Sequence, residues 1–221
     1  MRWNLPNILT IFRLLAAPGV GLAYVVFPSP LADWVALILF VTAAITDYLD
    51  GYLARKWDQI SKFGRMLDPI ADKAMVVIAL TVLVSLTGQN MFVLIPTVII
   101  LFREIFVSGL REFLGANASE LQVTKLAKWK TTVQMVAISA LLLGHMLGVY
   151  FYGRIHAMDQ AYLSDILSGA ITDDSGVKML ADAAQWTNDI GLVLLWIAAI
   201  LTFITGFDYF RKSLPFLRED S

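Results

Sequence analysis

Apolar residues along this chain gather into six blocks, near residues 14–28, 32–46, 74–87, 91–110, 133–152 and 190–207, parted by short polar stretches. A helix needs ~20 residues to cross a bilayer, and each block reaches that length with help from its flanks. The pattern predicts an all-α integral membrane protein with six transmembrane helices. The third block is short by itself and must borrow from Asp68–Lys73, so that polar segment is expected to be helical and at membrane depth. A longer polar connection, about 152–188, carries Asp159, Asp165, Asp173, Asp174, Asp182 and Asp189 and reads as a solvated loop with a short helix near Asp159–Ser168. No internal repeat or low-complexity tract divides the chain, so residues 1–221 are expected to form one domain.

Composition agrees with the pattern. The chain is 58% hydrophobic with a mean hydropathy of +0.69, far from the balance of a soluble domain. Arg2 and Arg13 before and at the edge of the first block give it some look of a secretory signal, but no A-x-A cleavage site follows. Cysteine is absent, which excludes disulfides, thiolate metal sites and cysteine nucleophiles. The net charge of -1 hides an asymmetry: when helix ends are assigned alternately to two sides, all 17 lysines and arginines except Arg154 and Lys178 fall on one side. The positive-inside rule makes that side cytoplasmic, with both termini and the connections after the second and fourth helices.

Against this background the stretch "TDYLDGYLARKWDQISKFGRMLDPIADK", Thr46 to Lys73, stands out. A carboxylate facing hydrocarbon costs roughly 2.5–3.5 kcal/mol, so acids at membrane depth mark functional sites by default. Asp47 and Asp50 are three apart, and Asp68 and Asp72 four apart, so each pair lies on one helix face. Two antiparallel helices across a short turn bring the pairs face to face, where four like charges require a cation between them. Oxygen-only ligands, with His145 and His156 both on the other side, favour Mg2+ or Mn2+ over zinc. Two such ions clamp a phosphoryl group in an in-line displacement, which implies a pyrophosphate-bearing substrate. Gly51, Ala54 and Gly64 permit close approach, and Arg55 offers a planar fork to phosphate. The plainer alternatives are that Gly51 and Ala54 only pack helices, and that Asp68 caps a helix with Pro69 at its first position. Caps leave Asp47 and Asp50 unexplained.

The eight fixed positions of Asp47-x2-Asp50-Gly51-x2-Ala54-Arg55-x8-Gly64-x3-Asp68-x3-Asp72 resemble the signature of the CDP-alcohol phosphatidyltransferases. The resemblance implies a six-helix membrane enzyme, usually homodimeric, with two divalent metals on the aspartates and a site open to the cytoplasm. It also implies attack of an alcohol on the phosphatidyl phosphorus of a CDP-lipid, with CMP leaving. Carried over, Asp47, Asp50, Asp68 and Asp72 bind metal, Asp72 also acts as general base, and Gly51, Ala54, Arg55 and Gly64 surround the CDP group.

The acceptor must be read elsewhere. In "FREIFVSGLRE", Arg103 and Arg111 are eight residues apart, about 80° around a helix, so both can face one cavity. Lys125, Lys128 and Lys130 open the fifth helix and add to an anion pocket, with Glu104 and Glu112 orienting the arginines. The alternative is that these cations merely snorkel to lipid headgroups. "NLPNILTIFRLLAAP", "REIFVSGLRE" and "KWKTTVQM" resemble one branch of the family, the bacterial phosphatidylglycerophosphate synthases, although Ala127 stands where glycine is expected. That resemblance implies sn-glycerol 3-phosphate as acceptor, CDP-diacylglycerol as donor, and a place in the bacterial cytoplasmic (inner) membrane. Asn7, Thr10 and Arg13 recur every three residues as a polar stripe that either lines the nucleotide cavity or forms the polar face of an interfacial helix. Other functions to be distinguished are the same chemistry with inositol phosphate or serine, a divalent-cation or proton-coupled transporter, and a structural scaffold; no feature suggests a nucleic-acid partner.

Overall fold

Asn4 is extended, and its side chain accepts a hydrogen bond from the Asn7 N–H at 3.2 Å. With Pro6 beside this cap, the chain enters its first helix, α1 (Leu5–Val26), where local chemistry favours a start. The structure is a computed structural model. It describes residues 4–57, 61–115, 125–156 and 158–217, with the backbone alone at 48, 51–55, 65, 125, 127, 128 and 217. The remaining helices are α2 (Leu31–Lys56), α3 (Lys62–Leu86), α4 (Met91–Leu114), α5 (Lys125–Ile155), α6 (Gln160–Ser168) and α7 (Val177–Leu217).

Ser61 caps α3, its Oγ accepting from the Gly64 N–H at 2.9 Å. Asp68 therefore lies well inside the helix, which removes the alternative that it is an N-cap. The segment from Asp68 to Lys73 is helical, as the shortness of the third apolar block requires. Among the described residues five helices are long and apolar enough to cross a membrane, within Leu5–Val26, Lys62–Leu86, Met91–Leu114, Trp129–Ile155 and Val177–Phe216. α2, with 26 residues, is about 39 Å long, comparable to these.

The polar connection expected at about 152–188 is shorter than the sequence suggested. α5 continues to Ile155, and α7 begins at Val177, about three and a half turns before its apolar block. The cause is Asp173, whose carboxylate accepts from the N–H groups of Val177 (3.0 Å), Lys178 (2.9 Å) and Met179 (3.4 Å) and so satisfies the first donors of α7. Between them α6, capped by Asp159, occupies the place of the expected short helix.

The packing puts small residues inside and large ones outside. Ala17, Ala36, Ala43, Ala79, Ala198 and Ala199 are fully buried, whereas Phe102, Ile105 and Phe203 are about two-thirds or more exposed (68%, 73% and 66%). Small residues at helix contacts let backbones approach where no water drives association, and the exposed apolar side chains form the surface that hydrocarbon would cover. α1 packs on α2 and α3, while α7 packs on α4 and α5. One end of the bundle is joined by Trp34 Nε1 to Tyr150 Oη (2.9 Å) and by His145 Nε2 beside Asp33 Oδ1 (3.4 Å). Asp50 lies about 25 Å further along α2, at the other end, where the charged groups collect.

Candidate active site

α1 lies between α2 and α3 and carries Arg13 into the space between the two aspartate pairs. The Arg13 side chain has no exposed surface. Its Nη1 donates to Asp47 Oδ1 at 2.6 Å and to Asp72, and its Nη2 donates to Asp50. One turn earlier, Thr10 Oγ1 lies 2.8 Å from Asp68 Oδ1 and 3.4 Å from Asp50 Oδ2. One turn earlier again, Asn7 Oδ1 accepts from Ser61 Oγ at 2.7 Å. The stripe of Asn7, Thr10 and Arg13 is thus buried and turned toward the aspartates, not toward an interface. Gly64 has a packing reason as well: a Cβ there would stand 3.0 Å from Asn7 Oδ1, so its absence lets α1 and α3 touch. Gly51, Ala54 and Arg55 belong to α2, but their side chains lie outside the described residues.

Beyond Asp68 and Asp72 opens a cavity of about 370 Å³, lined also by Lys73, Arg103, Glu104, Arg111, Lys130, Thr131, Gln134, Met135 and Tyr209. Arg103 and Arg111 face it together, as their spacing allows. Between them stands Tyr209 of α7, a residue that the sequence pattern did not single out. Its ring centroid is 5.6 Å from the Arg103 guanidinium carbon and 5.2 Å from that of Arg111, and its hydroxyl accepts from Arg111 Nη2 at 3.1 Å. Arg103 reaches this place past Gly206, where a Cβ would come within 2.8 Å of its Cγ. Glu104 bonds Arg103 (3.3 Å) and Lys130, and Lys73 bonds Ser108. Lys130 is therefore a buried, aimed cation and not a surface anchor. Lys125 and Lys128 lie on the helical backbone of α5, but their side chains are outside the described residues, and the α5 helix passes through Ala127 without interruption.

On the opposite flank of the aspartates a mostly apolar groove runs between α2 and α5. Its first part, about 550 Å³, is lined by Asp47 and by Val41, Ile45, Thr131, Met135 and Ser139 among others. A second part of about 460 Å³ continues it along Val41, Val136 and Ser139 to Leu143. Thr131 and Met135 line both the groove and the cationic cavity, so the two recesses adjoin, with Asp47 in the wall of the apolar one and Asp68 and Asp72 in the wall of the cationic one.

The donor set suits hard divalent cations: four carboxylates, no thiolate and, among the described residues, one guanidinium bonded to them. Arg13 supplies the positive charge among Asp47, Asp50 and Asp72 in this arrangement, and among the described residues no three acids are already disposed as a metal centre.

The model of the family described as CDP-alcohol phosphatidyltransferase matches residues 3–204 of the chain. The chain belongs to that family. A protein of Cereibacter sphaeroides is 55% identical over all of both chains and is named CDP-diacylglycerol--glycerol-3-phosphate 3-phosphatidyltransferase. Proteins with the same name from Rickettsia bellii (39% identical, 94% of each chain) and Haemophilus influenzae (42% identical, 64% of this chain and 77% of that one) are also similar. As a CDP-alcohol phosphatidyltransferase, the chain bears its family signature on the facing ends of α2 and α3, with Asp47, Asp50, Asp68 and Asp72 gathered about the buried Arg13 and Thr10 of α1.

Proposed function

We infer that this chain transfers the phosphatidyl group of CDP-diacylglycerol to sn-glycerol 3-phosphate, giving phosphatidylglycerol phosphate and CMP. The full-length relative named for this reaction supports it. The observation that carries it in molecular terms is the position of the aspartates between an apolar groove and a cationic cavity. Such a layout suits a donor with lipid tails on one side and a phosphorylated, water-soluble acceptor on the other.

In this reading the tails lie between α2 and α5, and the CDP group approaches Gly51, Ala54, Arg55, Gly64, Asn7, Thr10 and Arg13. Asp47, Asp50, Asp68 and Asp72 would hold two divalent ions, Mg2+ or Mn2+, which supply charge neutralisation on the pyrophosphate. Asp72 lines the acceptor cavity and takes the proton of the attacking hydroxyl. A bond forms between that oxygen and the phosphatidyl phosphorus, and the pyrophosphate bond breaks with its electron pair going to CMP. Arg103, Arg111 and Lys130, with Lys125 and Lys128, hold the acceptor's phosphate, and Tyr209 keeps the two arginines splayed around its ring.

The whole chain, 1–221, then forms one catalytic domain with six membrane spans, α2 being the sixth. The distribution of Lys and Arg supports cytoplasmic termini and a site opening to the cytoplasm in the bacterial inner membrane, and the family resemblance supports a homodimer. Arg111→Ala is expected to raise the KM for glycerol 3-phosphate by roughly 10- to 100-fold, the effect of losing a charge-assisted hydrogen bond or two, with kcat changed far less. Initial rates over a range of acceptor concentrations measure it.

The test of the reading is CMP release from CDP-diacylglycerol by the purified protein in detergent with Mg2+, without acceptor and with sn-glycerol 3-phosphate, myo-inositol 3-phosphate or serine. Release dependent on glycerol 3-phosphate supports donor and acceptor together. Release dependent on another alcohol would overturn the acceptor, and no release from folded protein would overturn the enzymatic reading and turn attention to metal transport in sealed vesicles.

A further inference from the structure

Gln134 lies one turn after Lys130 on α5 and lines the cationic cavity. It is 2% exposed, and its Oε1 is a buried oxygen without a hydrogen-bond partner. Burying a carbonyl oxygen unpaired is unfavourable, so such an atom on a residue that lines a cavity calls for a donor from whatever occupies the cavity. The neighbours narrow the choice. Arg103, Arg111, Lys130 and Lys73 are donors suited to phosphate oxygens, while Asp68 and Asp72 stand at the reacting end. A phosphate dianion has no proton to give an amide oxygen, and the attacking hydroxyl belongs to Asp72. What remains of a three-carbon phosphorylated acceptor is its middle hydroxyl.

Resting on the acceptor reading above, we propose that Gln134 is a specificity-determining residue whose Oε1 accepts a hydrogen bond from the C2 hydroxyl of the acceptor. The cavity thereby distinguishes a 1,2-diol phosphate from a simple ω-hydroxyalkyl phosphate. An acceptor without that hydroxyl leaves Oε1 unpaired in the occupied site, and this penalty corresponds to roughly a 5- to 150-fold loss.

The experiment compares kcat/KM for sn-glycerol 3-phosphate with that for 3-hydroxypropyl phosphate, which keeps the phosphate and the terminal hydroxyl and lacks only the one at C2. The wild-type protein is expected to favour glycerol 3-phosphate by a ratio in that range. Gln134→Met, of similar volume without the oxygen, is expected to bring the ratio close to one, the fall being carried by glycerol 3-phosphate. Gln134→Glu keeps an acceptor oxygen and is expected to keep the preference even if both rates fall through repulsion of the phosphate. Equal use of the two acceptors by the wild type would overturn the proposal without any variant. So would an unchanged ratio in Gln134→Met, which would mean that a buried water satisfies Oε1, or a lost ratio in an active Gln134→Glu. Absence of acceptor-dependent CMP release in the wild type would instead overturn the acceptor reading itself.

Discussion

Asp72→Asn is expected to lower turnover by roughly 10²- to 10⁴-fold, the usual contribution of a positioned general base, while the KM for glycerol 3-phosphate stays near its wild-type value. Asparagine keeps the shape of the side chain, and its carbonyl oxygen still accepts from Arg13 Nη1, so the contact between α1 and α3 survives. What disappears is a basic oxygen at the junction of the cavity with the aspartate cluster, together with one negative charge for a bound cation. In the proposed reading the acceptor's phosphate is held elsewhere, by Arg103, Arg111 and Lys130, so binding and chemistry are expected to separate. Steady-state kinetics on Asp72→Asn and Arg111→Ala side by side check this split. A large KM rise in Asp72→Asn with kcat preserved would reverse the two assignments. Asp68→Ala is expected to abolish turnover as well, but it also removes the 2.8 Å partner of Thr10, so its loss is interpretable only beside a thermal melt.

Much of this site is written in local spacing. Pairs three and four apart determine that Asp47 joins Asp50, and Asp68 joins Asp72, on one face, whatever the tertiary structure. The eight-residue spacing of Arg103 and Arg111 acts in the same way, and the apolar blocks locate the spans because hydrocarbon imposes its thickness on every helix. What local spacing cannot carry is the partner across the bundle. Tyr209 follows Arg111 by 98 residues and sits in an apolar helix rich in aromatics, where nothing marks one ring as a wedge between two guanidinium groups. Gly206, three residues before it, was the available hint, since a missing side chain often means that something long passes by. Gln134 was visible in "KWKTTVQM", but an uncharged amide acquires meaning only when its oxygen is found buried without a partner. The start of α7 was hidden for a different reason: hydropathy reports where a helix meets lipid, whereas a side-chain cap such as Asp173 decides where it begins.

The polar stripe that carries Arg13 is legible in the sequence, whereas its carboxylate partners across the bundle are not. Arg13→Met retains the long apolar stem and removes the guanidinium that faces Asp47, Asp50 and Asp72. Removing one partner from a buried ion cluster costs about 3–5 kcal/mol. Here the lower figure applies, since the Asp47 and Asp72 side chains are 37% and 39% exposed and water screens them. About 3 kcal/mol corresponds to a fall of roughly 6–12 °C in the melting midpoint of a chain this long, measured in detergent with EDTA. The second expectation is opposite in sign. With the guanidinium gone, the carboxylates lack their internal counter-charge, so Mg2+ or Mn2+ has no competitor and is expected to raise the midpoint of Arg13→Met by more degrees than that of the wild type. Activity is expected to fall despite the tighter ion, because Asp47, Asp50 and Asp72 lose the guanidinium that orients their carboxylates. A variant that melts lower in EDTA but gains no more from metal than the wild type would show that Arg13 only braces the three helices. A variant with an unchanged midpoint in EDTA would show that the acids need no counter-charge from α1 at all.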